Sequence, residues 1–197
     1  MGEHVATDFQ HGTNFRHGKN LVVESDVVVG DNVVLGHNVV LKSGTRFGNH
    51  IDFADYCCTT GLCILGDYVD VRTHTTISKG LIIEDKVFIG PGVMTNHTRH
   101  VPHCRPRVVQ QYLVSRIGYG SIVGASCWLM AGIRIGANVV VGGGTLVVKN
   151  LDEPGIYVGS PPRILRVLPP EYVVSGESRP YDFGSELVAR YMPGLAE

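Results

Sequence analysis

Apolar and polar positions alternate along this chain with a period of six residues. Apolar residues open successive hexads from Val23 to Ile89, with Thr59 as the exception, and again from Ile117 to Val147. The fifth hexad position is mostly Val, Thr, Ser, Cys or Ile. A period of six fits the strand period of two but not the helical period of 3.6, so the first and fifth positions point to one side of an extended segment. The pattern predicts short strands with one buried side.

Turn residues separate these predicted strands. In many hexads a glycine follows the opening apolar residue, as in VVVGDN and VVLGHN, and Asp-Asn or Gly-His comes next. Such residues favour turns, so each hexad should supply one strand and one corner. No hexad can cover its own apolar side, and the hexads must therefore coil and stack into an all-β solenoid with three strands per coil.

The same register extends towards the N-terminus. The segments FQHGTN and FRHGKN run in phase into LVVESD, which predicts a coil that starts near Phe9. The whole repeat then gives roughly seven coils. His11 and His17 fall in the column that Val and Leu fill later, and we expect them on the rim of a partly open first coil. Metal binding by these two histidines is the alternative.

The repeat breaks once, and the break is rich in histidine and arginine. The segment TNHTRHVPHCRPRVVQQYLVSR leaves the pattern and rejoins it in phase, which predicts a protruding loop over residues 97–116. Long excursions from a regular scaffold are usually functional or disordered. Because His97, His100 and His103 all lie here, the loop is the candidate functional segment.

The C-terminal segment departs from the repeat altogether. Residues 1–152 form the predicted solenoid, and residues 153–197 are rich in proline at first and then in polar residues. The open end of a parallel solenoid exposes unpaired strand groups. We therefore expect the segment to be a cap, cover or subunit contact within the same domain, with a short helix from Ser185 to Tyr191.

Composition limits the class of protein. The 197 residues suffice for one compact core, 18% of them are charged, and the net charge is −1. This charge gives no electrostatic support for a nucleic-acid or membrane partner. The start shows no apolar signal segment, and no apolar run reaches about 18 residues. We expect a cytoplasmic protein.

The five cysteines do not follow a disulfide or metal-binding pattern. Cys57, Cys63 and Cys127 fall on the small-residue column of the hexads, which predicts core filling. Cys57 and Cys58 are adjacent and lack a C-x-x-C partner. The sequence therefore indicates neither zinc nor redox chemistry, and no residue is assigned to a metal.

Three blocks of the chain resemble the hexapeptide-repeat acyltransferases, which use acetyl- or acyl-coenzyme A. IGPGVMTNHTRH is similar to the segment that carries their catalytic histidine, and VSRIGYGSIVGASCWLMAGIRIGANVVVGGGTLVVKN is similar to the coils that follow it. YVGSPPRILR is similar to a C-terminal motif that usually reads G-x-P-A-K/R. The resemblance covers residues 9–168 and implies a left-handed parallel β-helix.

The resemblance also implies a reaction. Such an enzyme transfers an acetyl or other acyl group from acyl-CoA to a hydroxyl or amine of a sugar, a nucleotide-linked sugar or a related small molecule. Acyl-CoA would be a co-substrate, and no permanently bound cofactor is expected. A thioester is already activated, so the protein needs a base, a donor to the oxyanion and alignment of the substrates.

Two branches of the family place the base differently. In the sugar O-acetyltransferases it lies ten residues after the position of Gly90, at His100. In the branch that acts on amino groups of nucleotide-linked sugars, an acidic residue follows Thr-Asn. In this chain His97 occupies the position of that acidic residue. We expect His100 to be the base. His97 is the alternative, and His103 is the third candidate. The residues that we expect to contact the acceptor are Asn96, Arg99, His103 and His74.

The resemblance assigns the acyl-CoA contacts to the later coils. Backbone N–H groups of small residues would stabilise the oxyanion and accommodate the pantetheine arm, and basic residues would meet the adenosine phosphates. The predicted cofactor-binding residues are Gly124, Ala125, Gly142, Gly143, Lys149 and Arg163. The alternative is that the glycines serve only the corners and that Arg163 is a solvated or capping charge.

The resemblance further implies a homotrimer with each site enclosed between subunits. Apolar residues at outward positions agree with such contacts, namely Val28, Val34, Val40, Ile122, Trp128 and Val140. Trp128 could instead pack against the acyl-CoA.

Two other classes remain open on the sequence. One is a zinc hydrolyase like the γ-carbonic anhydrases, with His74, His97 and His100 as candidate ligands, although their spacing does not match that family. The other is a non-enzymatic β-helix assembly subunit.

Overall fold

In a computed structural model, which describes residues 4–177 and 179–195, the chain forms a three-sided parallel β-solenoid. The first face contains the strands β1 (His4–Val5), β4 (Val22–Val23), β7 (Val40–Leu41), β10 (Cys58–Thr59), β13 (Thr76–Ile77), β16 (Met94–Thr95), β19 (Trp128–Leu129) and β22 (Leu146–Val147). The second face contains β2 (Gln10–His11), β5 (Val28–Val29), β8 (Thr45–Phe47), β11 (Cys63–Leu65), β14 (Leu81–Ile83), β17 (Ser115–Ile117) and β20 (Arg134–Ile135).

The third face is the longest. It contains β3 (Arg16–His17), β6 (Val34–Leu35), β9 (Asp52–Phe53), β12 (Asp70–Val71), β15 (Phe88–Ile89), β18 (Ile122–Val123), β21 (Val139–Val141), β23 (Gly155–Val158) and β24 (Arg163–Arg166). All pairs are parallel except that of β23 with β24, which closes the C-terminal end of this face. The predicted all-β architecture of a left-handed parallel β-helix is confirmed.

The hexad positions explain why these residues form strands and corners. Each two-residue strand joins an outward side chain to an opening apolar residue, and the openers and fifth positions fill one continuous core, from Leu21 to Leu151. The fourth position turns the corner with a positive φ, such as 57° at Asn32 and 54° at Asn138. Asparagine and glycine tolerate this left-handed conformation better than other residues, which is why they recur there.

The first coil is open, as the sequence predicts. His11 pairs in register with Val29, and His17 with Leu35, yet both histidines are exposed. The His11 ring stacks on Phe15 with 4.8 Å between ring centroids. The rim position of these histidines is confirmed, but the predicted start near Phe9 is wrong. The solenoid begins earlier, because β1 already pairs with β4, and Val5 stands in the opening column 18 residues before Val23.

The three cysteines of the small-residue column fill the core, as predicted. Cys57, Cys63 and Cys127 are buried, and all five cysteines are free thiols. Burial raises the pKa of Cys63 to about 12 and that of Cys57 to about 11. Thiols with such pKa values are not ionised at neutral pH, so these side chains act as small apolar groups.

The segment after β24 crosses the outside of the second face, and we call residues 174–177 and 179–195 the strap. It starts beside Tyr119, whose hydroxyl donates to the carbonyl of Ser175 at 2.7 Å. Arg179 then forms an ion pair with Asp85 at 2.6 Å. The predicted helix is confirmed as α1 (Ser185–Tyr191), and a 3₁₀ turn at Pro170–Tyr172 precedes the strap.

Apolar side chains hold the strap against the second face. Phe183 and Met192 of the strap are buried together with Leu62 and Ile82 of the solenoid. Burial of such side chains stabilises by about 1.5–3 kcal/mol each. The second face is therefore covered by the chain's own C-terminal segment. Within the described residues, no helix has the length and apolar character to cross a membrane.

Candidate functional site

The break in the repeat becomes an excursion at one corner of the prism. The chain leaves the first face after Thr95 and joins the second face at Ser115, and we call residues 96–114 the excursion. The corner between these two faces is the histidine corner. Regular structure within the excursion is limited to an isolated bridge at Tyr112, so its shape depends on contacts with the solenoid.

Two hydrogen bonds fix the neck of the excursion. The backbone N–H of Leu113 donates to the carbonyl of His97 at 3.1 Å, which joins the outgoing and returning chain. Nε of Arg99 donates to the carbonyl of Ala131, on the next coil, at 2.8 Å. Arg99 thus anchors the excursion to the solenoid, and its contact with the acceptor stays a prediction.

His97 lies in the neck itself. Its ring contacts Tyr112 with 5.7 Å between centroids, and the ammonium of Lys79 lies 4.9 Å from the centre of the same tyrosine ring. Burial, and then the positive charge of Lys79, lower the pKa of His97 below its ordinary value of 6.5. The imidazole is therefore neutral at pH 7 and can accept a proton.

His100 and His103 lie beyond the neck and are both exposed. The hydroxyl of Thr98 donates to the carbonyl of His100 at 2.9 Å, which shapes the turn that carries this histidine. His103 contacts Cys104, with 3.6 Å between Nε2 and Sγ. His100 is one residue from the Arg99 anchor, so its backbone is held close to the solenoid while its side chain remains accessible.

Asn96 and Trp128 meet where the excursion leaves the first face. In the amide orientation that satisfies both neighbours, Asn96 accepts a hydrogen bond from Nε1 of Trp128 at 3.2 Å and donates to the carbonyl of Thr95 at 3.2 Å. Trp128 points outward, as predicted, and is 45% exposed. The hydrogen bond fixes the orientation of an exposed aromatic ring beside the neck.

The other predicted acceptor residue, His74, lies at a different corner. It follows β12 and precedes β13, so it sits between the third and first faces. Its exposed ring stacks on Tyr56, with centroids 4.9 Å apart and an interplanar angle of 6°. Within one chain the width of the first face separates His74 from His97 and His100.

Small residues line the same corner above His74. This glycine corner consists of Gly90–Gly92, Gly124–Ser126 and Gly142–Gly144, stacked on successive coils. A methyl group on Gly124 would lie 2.6 Å from the backbone nitrogen of Gly143, so coil stacking itself requires glycine there. Gly144 has nothing within 4 Å of such a methyl group. At residues 142–144, which are all glycine, the outer surface of the corner is bare backbone.

The two predicted phosphate-binding residues lie at different corners. Lys149 follows β22, as Ala131 follows β19, so it stands at the histidine corner. Arg163 opens β24 opposite Val158, and Val158 contacts the position of Gly142. Arg163 therefore lies at the C-terminal end of the glycine corner. Both basic side chains are exposed.

Sequence reasoning missed Lys79 and Tyr112. Lys79 is 18 residues before His97, and the pairing of Thr76 with Met94 makes this spacing one coil. The coil period could therefore have identified Lys79 as a neighbour of His97. Tyr112 lies in an aperiodic segment, and no repeat or motif marks its contact with the histidine.

Two curated proteins are similar in sequence to this chain, and both are acetyltransferases. Serine acetyltransferase 2 of Arabidopsis thaliana is 28% identical over 89 residues, which cover 45% of this chain and 27% of the relative. Galactoside O-acetyltransferase of Lactococcus lactis is 25% identical over 124 residues, which cover 62% of this chain and 58% of the relative. The expected resemblance to acetyltransferases is confirmed, although the chain spans little more than a quarter of the first relative and 58% of the second.

No family model matches the chain. Among solved structures, the maltose O-acetyltransferase of Clostridium difficile is 22% identical, with 80% of this chain and 68% of that chain covered and a TM-score of 0.43. PerB of Caulobacter crescentus, solved with CoA and GDP-perosamine, is 15% identical. The match covers 83% of this chain and 57% of PerB, with a TM-score of 0.44. A mutant of AntD from Bacillus cereus, an N-acyltransferase solved with dTDP and coenzyme A, is 15% identical. The match covers 82% of this chain and 85% of AntD, with a TM-score of 0.48.

Proposed function

We propose that this protein is an acyl-CoA-dependent acyltransferase. It transfers an acetyl or other acyl group to a hydroxyl or amine of a sugar, a nucleotide-linked sugar or a related small molecule. The similarity to a galactoside O-acetyltransferase supports a sugar hydroxyl as the acceptor. The observation that carries the proposal is the histidine-bearing excursion, which breaks an otherwise regular solenoid beside the first face.

In the proposed mechanism His100 is the general base. Its imidazole takes the proton of the acceptor hydroxyl while the acceptor oxygen attacks the thioester carbonyl. A backbone N–H of the glycine corner, in the Gly124–Ala125 or Gly142–Gly143 pair, stabilises the oxyanion. The tetrahedral intermediate then expels the coenzyme A thiolate, which receives the proton from the imidazolium. The ester and the free thiol are the products.

The distance between the two corners supports a site shared by two copies of the chain. On one coil, the four residue steps from Gly92 to Asn96 span about 13 Å of extended chain, whereas a base must come within about 3 Å of the group that it deprotonates. The neck holds the excursion at its own corner. One copy would thus supply His100 and another the glycine corner, which is the arrangement of a cyclic homotrimer.

The covered second face restricts how such a trimer forms. The strap occupies this face, so contacts between copies would use the first and third faces. The outward apolar residues divide accordingly: Val40 and Trp128 lie on the first face, and Val34, Ile122 and Val140 on the third. Val28 lies on the second face, near its N-terminal end.

The proposal includes a cytoplasmic location. The five cysteines are free thiols, and unpaired cysteines are typical of reducing compartments.

The decisive experiment is an acyl-transfer assay on the purified protein. Acetyl-CoA is mixed with a galactoside, a nucleotide-linked amino sugar or serine, and release of the coenzyme A thiol is followed with a thiol-reactive dye. We expect acceptor-dependent release that is lost in His100→Ala. Stoichiometric zinc by mass spectrometry, with hydration of carbon dioxide, would instead indicate the hydrolyase. Absence of any coenzyme A binding by calorimetry would contradict the proposal and favour an assembly subunit.

A further inference from the structure

The end of the strap reaches the excursion. Leu195 forms a parallel β-bridge with Tyr112, and both residues pack against the apolar cluster that contains Met192 and Ile82. Met192 is fully buried. The C-terminal end of the described chain therefore forms part of the support under the excursion.

Tyr112 connects this support to the histidines. Its backbone forms the bridge with Leu195, and its ring contacts the ring of His97 with 5.7 Å between the centroids. The next residue, Leu113, donates its backbone N–H to the carbonyl of His97. A displacement of Tyr112 would thus move both partners of the neck, and His100 with them.

The strap is anchored to the solenoid at two places, which makes it a fixed support. The hydroxyl of Tyr191 donates to Oδ2 of Asp26 at 2.6 Å, and Arg190 pairs with the same carboxylate at 3.3 Å. At the other end, Arg179 and Tyr181 donate to Asp85. The Asp26 contacts join the strap to an early coil, away from the excursion, and the Asp85 contacts join it to the coil beneath the excursion.

An excursion with so little regular structure needs such a support. Fixing the backbone of each loop residue costs conformational entropy. A misplacement of about 1 Å in a catalytic group can reduce the rate about a hundredfold. The contacts that order the excursion before the substrate binds therefore bear directly on turnover.

We propose that Tyr112 is a positioning residue, held in place by the strap, that fixes the neck of the excursion and thereby the histidines of the site. The role rests on the proposed acyltransferase function. Tyr112 does not act on the substrate itself. The strap joins the C-terminal segment to the candidate site and is more than a cover for the second face.

The test compares four variants of the full-length protein. Tyr112→Ala removes the ring, Tyr112→Phe keeps it, Leu195→Ala weakens the contact from the strap, and Val109→Ala is the control, because Val109 is an exposed residue of the same excursion. We expect Tyr112→Ala to lower kcat about 10- to 100-fold, and Leu195→Ala to lower it less. The KM for acetyl-CoA should stay unchanged, and Tyr112→Phe and Val109→Ala should behave like the wild type.

Two readouts do not require activity. In Tyr112→Ala we expect the pKa of His97, followed by NMR, to rise towards its ordinary value as burial is lost, and the amides of residues 96–114 to exchange faster with solvent. Unchanged titration and exchange in both Tyr112→Ala and Leu195→Ala would overturn the positioning role. If these readouts change but the wild type transfers no acyl group, the positioning role holds and the proposed function fails.

Discussion

Lys79 lies one coil before His97, and its positive charge adds to burial in lowering the pKa of the His97 imidazole. The lysine ammonium also lies over the ring of Tyr112, which contacts His97 from the excursion. Solenoid stacking thus places a cation beside a histidine through an 18-residue spacing. The result is a histidine that stays neutral at pH values where an exposed one begins to take up a proton.

Replacement of Lys79 by methionine should raise the pKa of His97, because it removes the charge and keeps an apolar stem. The lowered pKa means that the folded state resists protonation, so the stability linked to His97 is complete above pH 6.5 and is lost as the pH falls towards the folded-state pKa. Lys79→Met should therefore lose less stability between pH 7 and pH 5 than the wild type.

The measurement is an NMR titration of His97 together with urea unfolding at several pH values. Lys86→Met is a matched control, since Lys86 lies over the ring of Tyr119, away from the excursion. An unchanged His97 titration in Lys79→Met would show that burial alone lowers the pKa.

Replacement of His100 by alanine should lower kcat at least about a hundredfold, because it removes the proposed base. Its exposed side chain makes little contact with the solenoid, so the midpoint of thermal unfolding should stay the same. Val109→Ala is the control, because Val109 is an exposed residue of the same excursion with no assigned role in the site. If His97→Ala is the inactive variant and His100→Ala retains full activity, then His97 is the base and the resemblance to the amino-sugar branch gains support.

The sequence predicts the fold well because the fold is periodic. Every coil repeats the same burial pattern, so the strands, the corners and the roles of Cys57, Cys63 and Cys127 follow from one six-residue rule. The exposed rim histidines follow from the same register. The predicted start near Phe9 is too late, because Val5, which lies 18 residues before Val23 and pairs with it, already opens a hexad that lacks the glycine of later ones.

The site is harder to predict because its contacts are aperiodic. The sequence identifies the histidine-rich break, but the neck depends on Tyr112 and on Leu195, which are 83 residues apart in the chain and meet only through the path of the strap. Lys149 and Arg163 look alike as basic residues near the C-terminus. They separate onto two corners because β24 turns back along the third face.

Replacement of Gly124 by alanine should destabilise the protein by about 1–3 kcal/mol, as expected for overpacking. The added methyl group would meet the backbone of the next coil at 2.6 Å, and a backbone cannot move aside cheaply. Gly144→Ala is the comparison, since its methyl group would meet nothing within 4 Å and only the φ of 70° opposes it. That conformation costs about 1–2 kcal/mol.

Urea unfolding of both glycine variants measures the difference. A Gly124→Ala protein as stable as the wild type would show that adjacent coils can separate locally, contrary to the close stacking at this corner.

Replacement of Arg163 by alanine should raise the KM for acetyl-CoA and leave kcat at saturating acetyl-CoA almost unchanged. This is the pattern for a residue that binds the substrate equally in the ground and transition states. Because the side chain is exposed, salt should weaken its attraction to phosphate and reproduce part of the effect in the wild type. Arg16→Ala, on an exposed strand at the opposite end of the same face, is the matched control. A higher KM for the acceptor, with an unchanged KM for acetyl-CoA, would assign Arg163 to the acceptor site instead.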